Sequence, residues 1–289
     1  MKLSGQATVT HSIDPSLSKL LAQKFPAAQS AGSFFPLAGL TGQTGKVELD
    51  GRTLLARRQQ SEYPIPGVNR RREYHILRHL GGSGLAPAVL GINREWLLLS
   101  WLPGETLASG SLSDCIAPLT GLVIRLHRQP LSGYRLDMLR LLESYWLQSR
   151  PSRRHSGWLK ALKVCQRRGE PRPLRLALLH MDIHAGNIIV DRDGLHLIDW
   201  EYASDGDVAL ELAATIAGNG LDKQSQSDLT ERYAEQQRLD VRQLNHQIRL
   251  WQPWLRLLMA SWYELRWQQS GDAIFDTLAA EAWQRVVND

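Results

Sequence analysis

Cysteine is scarce: Cys115 and Cys165 are the only two among 289 residues. They lie far apart and without metal-ligand spacing. That excludes a disulfide-stapled scaffold and a thiolate metal site, and points to free thiols in a reducing compartment. Phenylalanine is scarce too, with four residues against ten tryptophans. No apolar run is long enough to span a bilayer, and the first 21 residues lack the apolar core of a signal peptide, so the expected location is the cytoplasm. Also missing are an internal repeat, a low-complexity tract, a zinc-finger, an RNP motif and a helix-turn-helix pattern. The net charge of +5 and the pI near 9.4 therefore have no nucleic-acid motif to go with them. The basic residues fall in short separate clusters (Arg57-Arg58, Arg70-Arg71-Arg72, Arg153-Arg154, Arg167-Arg168) that read mostly as solvated faces; nucleic-acid binding would rest on charge alone.

What is present is ordinary for a globular protein: 43% apolar and 22% charged residues, in a length that suits one large or two modest domains. The surplus of tryptophan fits an aromatic core, or a pocket for a flat or cationic ligand. Residues 180–211 reverse the overall charge, with eight carboxylates against one arginine. A locally acidic site in a basic chain suits magnesium.

That acidic stretch opens with His180-Met181-Asp182-Ile183-His184-Ala185-Gly186-Asn187 and continues to Ile198-Asp199-Trp200-Glu201. An Asp is followed five residues later by an Asn, and a second Asp comes twelve residues after that. Phosphoryl transfer from a nucleotide needs such a set: one carboxylate to orient the attacking hydroxyl and take its proton, and an amide oxygen and a second carboxylate to hold Mg2+. Between them, Ile188-Ile189-Val190, the Asp193-Gly194 turn and Leu195-His196-Leu197-Ile198 predict a hairpin whose open ends bring Asn187 and Asp199 together, with Asp182 on the loop leading in. A lone H-x-D or Asp-Gly is usually structural; the three residues at both ends of one hairpin are harder to explain that way.

Upstream, residues 14–25 read as a helix capped by Asp14, with Pro15 in its first turn and Leu17, Leu20 and Leu21 on one face. Residues 37–45 read as a glycine- and threonine-rich loop. It is neither G-x-G-x-x-G nor a Walker loop, but Gly42 and Gly45 are candidates for close approach to phosphates. Strand, Asp50-Gly51, strand then predicts a second hairpin. Arg57 near its end is the candidate phosphate cation, with Arg58 pointing the opposite way as the alternative. Glu73, in a helix predicted over 70–80, is its candidate partner or else a solvated charge. Two more strands are expected at 88–90 and 95–102, where Ser100-Trp101-Leu102 is the candidate adenine-reading hinge. A mostly β nucleotide-binding lobe (1–102) is thus expected before a helical catalytic and substrate-binding lobe (103–289), with helices over 113–128, 138–148, 156–168 and 208–217. Asp207 reads as a helix cap more than as a catalytic group. The stripe Trp251, Trp254, Leu255, Leu258, Trp262 and Leu265 over 247–267 reads mainly as core.

Several stretches carry a family resemblance: Glu143-Ser144-Tyr145-Trp146, Gly157-Trp158-Leu159, Glu170-Pro171-Arg172-Pro173-Leu174-Arg175-Leu176, residues 180–214 and residues 251–267. The chain resembles the aminoglycoside phosphotransferase and choline kinase family, within it the bacterial members that phosphorylate thiamine. The resemblance is good from about residue 140 and thinner before. It implies an α+β, bilobal kinase-like fold and ATP-dependent phosphorylation of the hydroxyethyl group of thiamine. It further implies Asp182 as base, His180 as the residue that orients the loop, and Asn187 and Asp199 as Mg2+ ligands. Arg57 departs from the Lys usual at the nucleotide strand, but it stays charged and can grip phosphate with two donors. Thiamine is permanently cationic, so Glu201, Asp205, Glu264 and the Trp262 face are candidates to bind it. Choline or an aminoglycoside as acceptor, a protein substrate, and a non-catalytic nucleotide-binding scaffold are the competing readings. The absent A-P-E segment counts against the protein substrate, and the intact Asp182, Asn187 and Asp199 count against the scaffold.

Overall fold

Asp14 starts the first helix. Its carboxylate accepts the N–H groups of Ser16 and Leu17 at 2.9 and 3.2 Å, and α1 runs over Pro15–Lys24 with Leu17, Leu20 and Leu21 buried. The computed structural model describes residues 13–28, 32–37, 44–59, 64–108 and 112–287. The chain forms two compact units: Met1–Pro64 with Asn69–Gly104, and Ile65–Val68 with Glu105–Asp289.

In the first unit, β1 (Ser33–Leu37), β2 (Thr44–Leu49), β3 (Arg52–Arg58), helix α2 (Arg70–His79), β4 (Val89–Ile92) and β5 (Trp96–Ser100) follow α1. The strands form one sheet in the order β1-β2-β3-β5-β4, every neighbouring pair antiparallel. The β2–β3 hairpin turns at Asp50 and Gly51, whose φ angles of 46° and 74° are those a type I′ turn demands of both central residues. Leu17, Leu20 and Leu21 of α1 pack with Val47, Leu49, Leu54, Ala56, Trp96 and Leu98. The ends of the expected 37–45 loop are strand instead. Leu37 pairs with Thr44, and Gly45 lies inside β2 opposite Pro36 and Ala56. A Cβ at Gly45 would fall 2.2 Å from the Phe34 ring, so this glycine makes room for an aromatic ring. Gly42 lies outside the described residues.

The second unit contains β6 (Glu105–Thr106), α3 (Ile116–His127), α4 (Met138–Gln148), α5 (Ser156–Arg168), β7 (Leu176–Leu179), β8 (Ile188–Asp191), β9 (Gly194–Leu197), β10 (Ser204–Asp207), α6 (Val208–Asn219), α7 (Lys223–Gln237), α8 (Val241–Ser270) and α9 (Ala273–Val287). Strands β7 and β10 pair with each other, and β6, β8 and β9 form a second small sheet. Tryptophan here is mostly core. Trp158 is fully buried and meets Trp146 edge-on at 5.4 Å and Trp283 at 4.9 Å, while Trp251 and Trp254 are buried along α8. No helix among the described residues is long and apolar enough to cross a membrane.

Asp207 ties three parts of this unit together. Its buried carboxylate caps α6 through the Ala209 N–H (3.2 Å) and accepts from the Leu174 N–H (3.2 Å), Gln247 Nε2 (2.7 Å) and Trp251 Nε1 (2.8 Å). Asp207→Ala strands these donors in the core and is expected to cost about 2–4 kcal/mol, read as a lower urea midpoint at unchanged slope. A midpoint within error of the wild type would remove Asp207 from this role.

Candidate active site

Strand β7 delivers the chain to His180, which is completely buried. The Asp182 N–H donates to His180 Nδ1 at 3.3 Å, so that nitrogen carries no proton. Nε2 then donates to the Ile198 carbonyl at 2.9 Å. One imidazole thus joins the loop before β8 to the segment after β9, and the bond accepted at Nδ1 requires the neutral ring. Burial pulls the His180 pKa down, against the raising effect of Glu211 and the nearby aspartates. The ring also meets Trp200 edge-on at 4.7 Å.

Asp182 follows on the same loop. Asn187, in a short 3-10 turn just before β8, donates its Nδ2 to Asp182 Oδ2 at 2.9 Å and to the Asp182 carbonyl at 3.0 Å. Committing the amide nitrogen in this way sets which direction the amide oxygen faces. The hairpin closes as its residues predict, with Ile188 paired to Leu197 and the Ile198 N–H on the Asn187 carbonyl at 3.0 Å. Asp199 follows with a left-handed φ of 66°, a backbone state Asp tolerates better than most residues. Burial pushes the Asp182 carboxyl up to about 6. The Asn187 amide pulls against that rise, and the Asp199 charge adds to it. His184 Nδ1 accepts the Gly186 N–H at 3.1 Å, a local turn-holding bond.

Among the described residues no three His, Cys, Asp or Glu side chains gather as a self-sufficient metal cage. Magnesium takes hard oxygen donors and commonly rests on one or two carboxylates with substrate phosphates and water. The Asp199 carboxylate and the Asn187 amide oxygen are donors of this kind.

Two candidate substrate carboxylates prove to have structural work. Asp205 is buried, and its oxygens accept from the Ser132 N–H (2.9 Å), Ser132 Oγ (2.8 Å) and Gly133 N–H (2.7 Å), pinning the segment between α3 and α4. Glu264 is buried and takes Arg153 Nε at 2.5 Å and Nη2 at 3.2 Å, with Arg153 stacked 4.2 Å from the Trp267 ring centre. Both carboxylates are buried and bonded to donors of the protein itself. Glu201 is buried in the 3-10 turn after Asp199. Burial pulls the Arg266 guanidinium down, and nearby Tyr202 and Glu201 push it back up. Trp262 donates Nε1 to the Tyr202 hydroxyl at 3.0 Å and meets Phe275 edge-on.

In the first unit, Arg57 is buried and its Nη1 stands 3.1 Å from Glu73 Oε1, while Arg70 Nη1 holds Oε2 of the same carboxylate at 2.9 Å. Arg58 turns the other way and lies over the Trp96 ring at 5.8 Å, as strand alternation requires. Trp101 follows β5 and is 37% exposed, with Lys46 Nζ 5.9 Å from its ring centre. The Ser100 N–H is committed to the Ala88 carbonyl.

The chain matches the phosphotransferase enzyme family over residues 36–251. The chain belongs to this family. A thiamine kinase of Escherichia coli O157:H7 is 41% identical over 269 residues, 93% of this chain and 94% of that protein. A thiamine kinase of Shigella dysenteriae serotype 1 (strain Sd197) is equally similar, 41% identical over the same shares of the two chains. Among solved structures, choline kinase LicA from Streptococcus pneumoniae superposes with a TM-score of 0.74 at 18% identity, over 94% of this chain and 98% of that one. A thermostable mutant of aminoglycoside phosphotransferase APH(4)-Ia, in ternary complex with ADP and hygromycin B, superposes with a TM-score of 0.66 at 16% identity, over 94% of this chain and 98% of that one. At those identities the two structures speak for the fold: an α+β kinase-like chain with a sheet-rich first part and a helical second part. The matched span, residues 36–251, includes the H-x-D-x-x-x-x-N loop and its following Asp. It does not draw attention to Glu211, whose carboxylate accepts the N–H groups of His180 and Met181 at 2.6 and 2.9 Å. The signal for it was a lone acid in an otherwise apolar helix.

Proposed function

We propose that this protein phosphorylates the hydroxyethyl group of thiamine with ATP, giving thiamine monophosphate, in the cytoplasm. The observation that carries this reading is the Asp182–Asn187 pair beside Asp199, in a chain that matches proteins named thiamine kinases over nearly its full length. The choline kinase and aminoglycoside phosphotransferase likenesses, at 18% and 16% identity, speak for the fold and give choline and aminoglycosides no weight as acceptors here.

In the proposed reaction the first unit is the nucleotide lobe. Glu73 holds the Arg57 side chain, and Arg57 meets the triphosphate with a charge that survives any working pH. With the Ser100 N–H already bonded, the adenine-reading backbone narrows to Trp101 and Leu102. In the second unit Asp182 accepts the hydrogen bond of the thiamine hydroxyl and aligns it. The hydroxyl oxygen forms the new bond to the γ-phosphorus as the bond to the ADP oxygen breaks, and the proton passes to Asp182. Asn187 and Asp199 would hold magnesium, which would neutralise charge at the phosphates when bound. Positioning and electrostatics carry most of the rate, because the phosphoryl group needs little covalent help. Of the substrate candidates, the Trp262 face and Glu201 remain assigned to the acceptor side.

The test is formation of thiamine monophosphate by the purified protein with ATP and magnesium, with choline and kanamycin as comparison acceptors. The expected result is product from thiamine at a kcat/KM at least a hundredfold above either comparison. ADP release with choline or kanamycin, and none with thiamine, would discard the substrate and keep the phosphotransferase.

A further inference from the structure

Two of the basic clusters that read as solvated faces, Arg153-Arg154 and Arg167-Arg168, belong to one larger feature. Residues 150–169 hold seven Lys and Arg and no Asp or Glu. Taking those seven from the chain's 34 leaves 27 against 29 acids, so this segment carries the protein's whole excess of positive charge. Glu264 and Asp276 neutralise Arg153. Among the described residues, no carboxylate pairs with Arg150, Arg154, Lys160, Lys163, Arg167 or Arg168. Trp158, Leu162 and Cys165 bury one side of α5. Lys160, Lys163 and Arg167 recur three and four residues apart on the other side, all exposed, and span about 10 Å along the helix. Like charges at those spacings weaken a helix. The first turn of α5 has no acid, although the macrodipole favours one there; only Arg167 and Arg168, in the last turn, stand where it favours a cation. A face shaped by solvation alone mixes signs, as α7 does with Asp228, Glu231, Arg232 and Glu235. The flanking acids are Glu143, which takes Gln166 Nε2 at 2.8 Å, and Glu170, which takes the Leu139 N–H at 2.8 Å. Exposed apolar side chains stand beside the cations: Leu147 is 70% exposed, Val287 64% and Leu159 37%. The Leu147 carbonyl holds Arg154 Nη2 at 2.8 Å, and Val287 Cγ2 would lie 3.3 Å from a Cβ on Gly157, so both border the N-terminal end of α5.

We propose that the exposed side of α5 is a docking surface for the anionic face of a phospholipid bilayer. Unpaired cations complement anionic headgroups, and each Lys or Arg close to such a surface strengthens binding about fivefold. The apolar tips decide between polyanions. Leu147, Leu159 and Val287 gain from the headgroup and acyl boundary, whereas a nucleic-acid backbone offers them charged oxygens and sugar. The apolar side of α5 is spent on the protein's own core, so the helix does not insert. It lies against the headgroups, and the contact is reversible and weakened by salt. None of these residues belongs to the His180–Asp199 site. The surface bears on where the protein works and not on its chemistry, and it stands whether or not thiamine is the acceptor.

The test is sedimentation of the full-length protein with vesicles of phosphatidylcholine alone, and of phosphatidylcholine and phosphatidylglycerol in equal parts. The wild type is expected to bind the anionic vesicles at least tenfold more tightly and to leave them in high salt. Lys160→Glu, Lys163→Glu and Arg167→Glu together are expected to lower that affinity at least about a hundredfold. The control is Lys223→Glu, Arg242→Glu and Arg249→Glu, exposed cations of α7 and α8 whose reversal changes the net charge equally. Charges farther from the membrane than a Debye length of about 8 Å count little, so the control is expected to bind within threefold of the wild type. Leu147→Ser with Leu159→Ser is expected to weaken binding severalfold without altering its salt dependence. The α5 triple variant is expected to keep the wild-type thermal midpoint and its turnover in solution. If it does not fold, Lys160→Gln with Lys163→Gln decides, at an expected loss of at least about tenfold. Equal binding to both kinds of vesicle, or equal losses in the two triple variants, would overturn the proposal. Duplex DNA bound through the same three residues, and more tightly than the vesicles at equal phosphate, would overturn it too and make α5 a nucleic-acid face.

Discussion

Asp182→Asn is expected to lower kcat by about 10²- to 10⁴-fold, the range a positioned general base contributes, or about 2.7–5.4 kcal/mol of barrier. The variant amide oxygen can still accept from Asn187 Nδ2, which now reaches Asp182 Oδ2 at 2.9 Å, so loop geometry and ATP affinity should survive. Calorimetric ATP binding within threefold of wild type, beside the lost turnover, is the expected pair of results. Turnover retained within tenfold would sink the assignment. The pH dependence has a definite sign. Burial raises the Asp182 carboxyl to about 6, and a base works only when deprotonated, so kcat/KM should fall as pH drops through that value. Magnesium favours the carboxylate, so raising its concentration should move the acid arm to lower pH.

Asp199→Asn should abolish turnover as thoroughly while leaving the fold at least as stable. Asn also tolerates the left-handed backbone at φ 66°, so the substitution removes a charge and keeps the shape. In the proposed site that charge holds magnesium, so the expected loss of kcat is at least about 10²-fold, partly recovered at high magnesium. Without the metal, the Asp199 charge repels Asp182 and raises its pKa. Removing it should therefore lower the Asp182 pKa and leave the magnesium-free thermal midpoint unchanged or higher. A midpoint that drops by several degrees with turnover intact would make Asp199 a structural residue.

The elements legible in the sequence are those whose signals are local. Asp14-Pro15, the Asp50-Gly51 turn and the β8–β9 hairpin each declare themselves within a dozen residues, and Asn187 meets Asp182 because a short turn and a hairpin leave little choice. Strand β10 is the opposite case. Ser-Asp-Gly-Asp has almost no strand propensity, and its four residues are buried in a strand because β7 pairs with them and Arg135 bridges Asp205. Strand β1, with Pro36 inside it, was hidden for a related reason: it lies at the sheet edge, where a missing N–H is tolerated. Asp205, shortly after the metal motif, and Glu264, beside the tryptophan stripe, read as candidates for a cation from their charge. Their real partners, Ser132 and Gly133 for one and Arg153 for the other, lie more than seventy residues away. The hold of Glu211 on the backbone of the catalytic loop has no local signal beyond a lone acid in an apolar helix.

Four residues, Ile65–Val68, belong to the second unit although the chain on both sides of them belongs to the first. Pro66 offers its carbonyl to the buried Tyr145 hydroxyl at 3.0 Å, and a Cβ on Gly67 would stand 3.2 Å from Leu141. The two units are therefore not successive beads that a gene could be cut between. A fragment starting at residue 105 would lack a piece of its own core, and on the ribosome that piece emerges about eighty residues before the tyrosine it binds. Shuffling the first unit between relatives would carry these four residues along, so a working chimera must match them to the α4 of its new host.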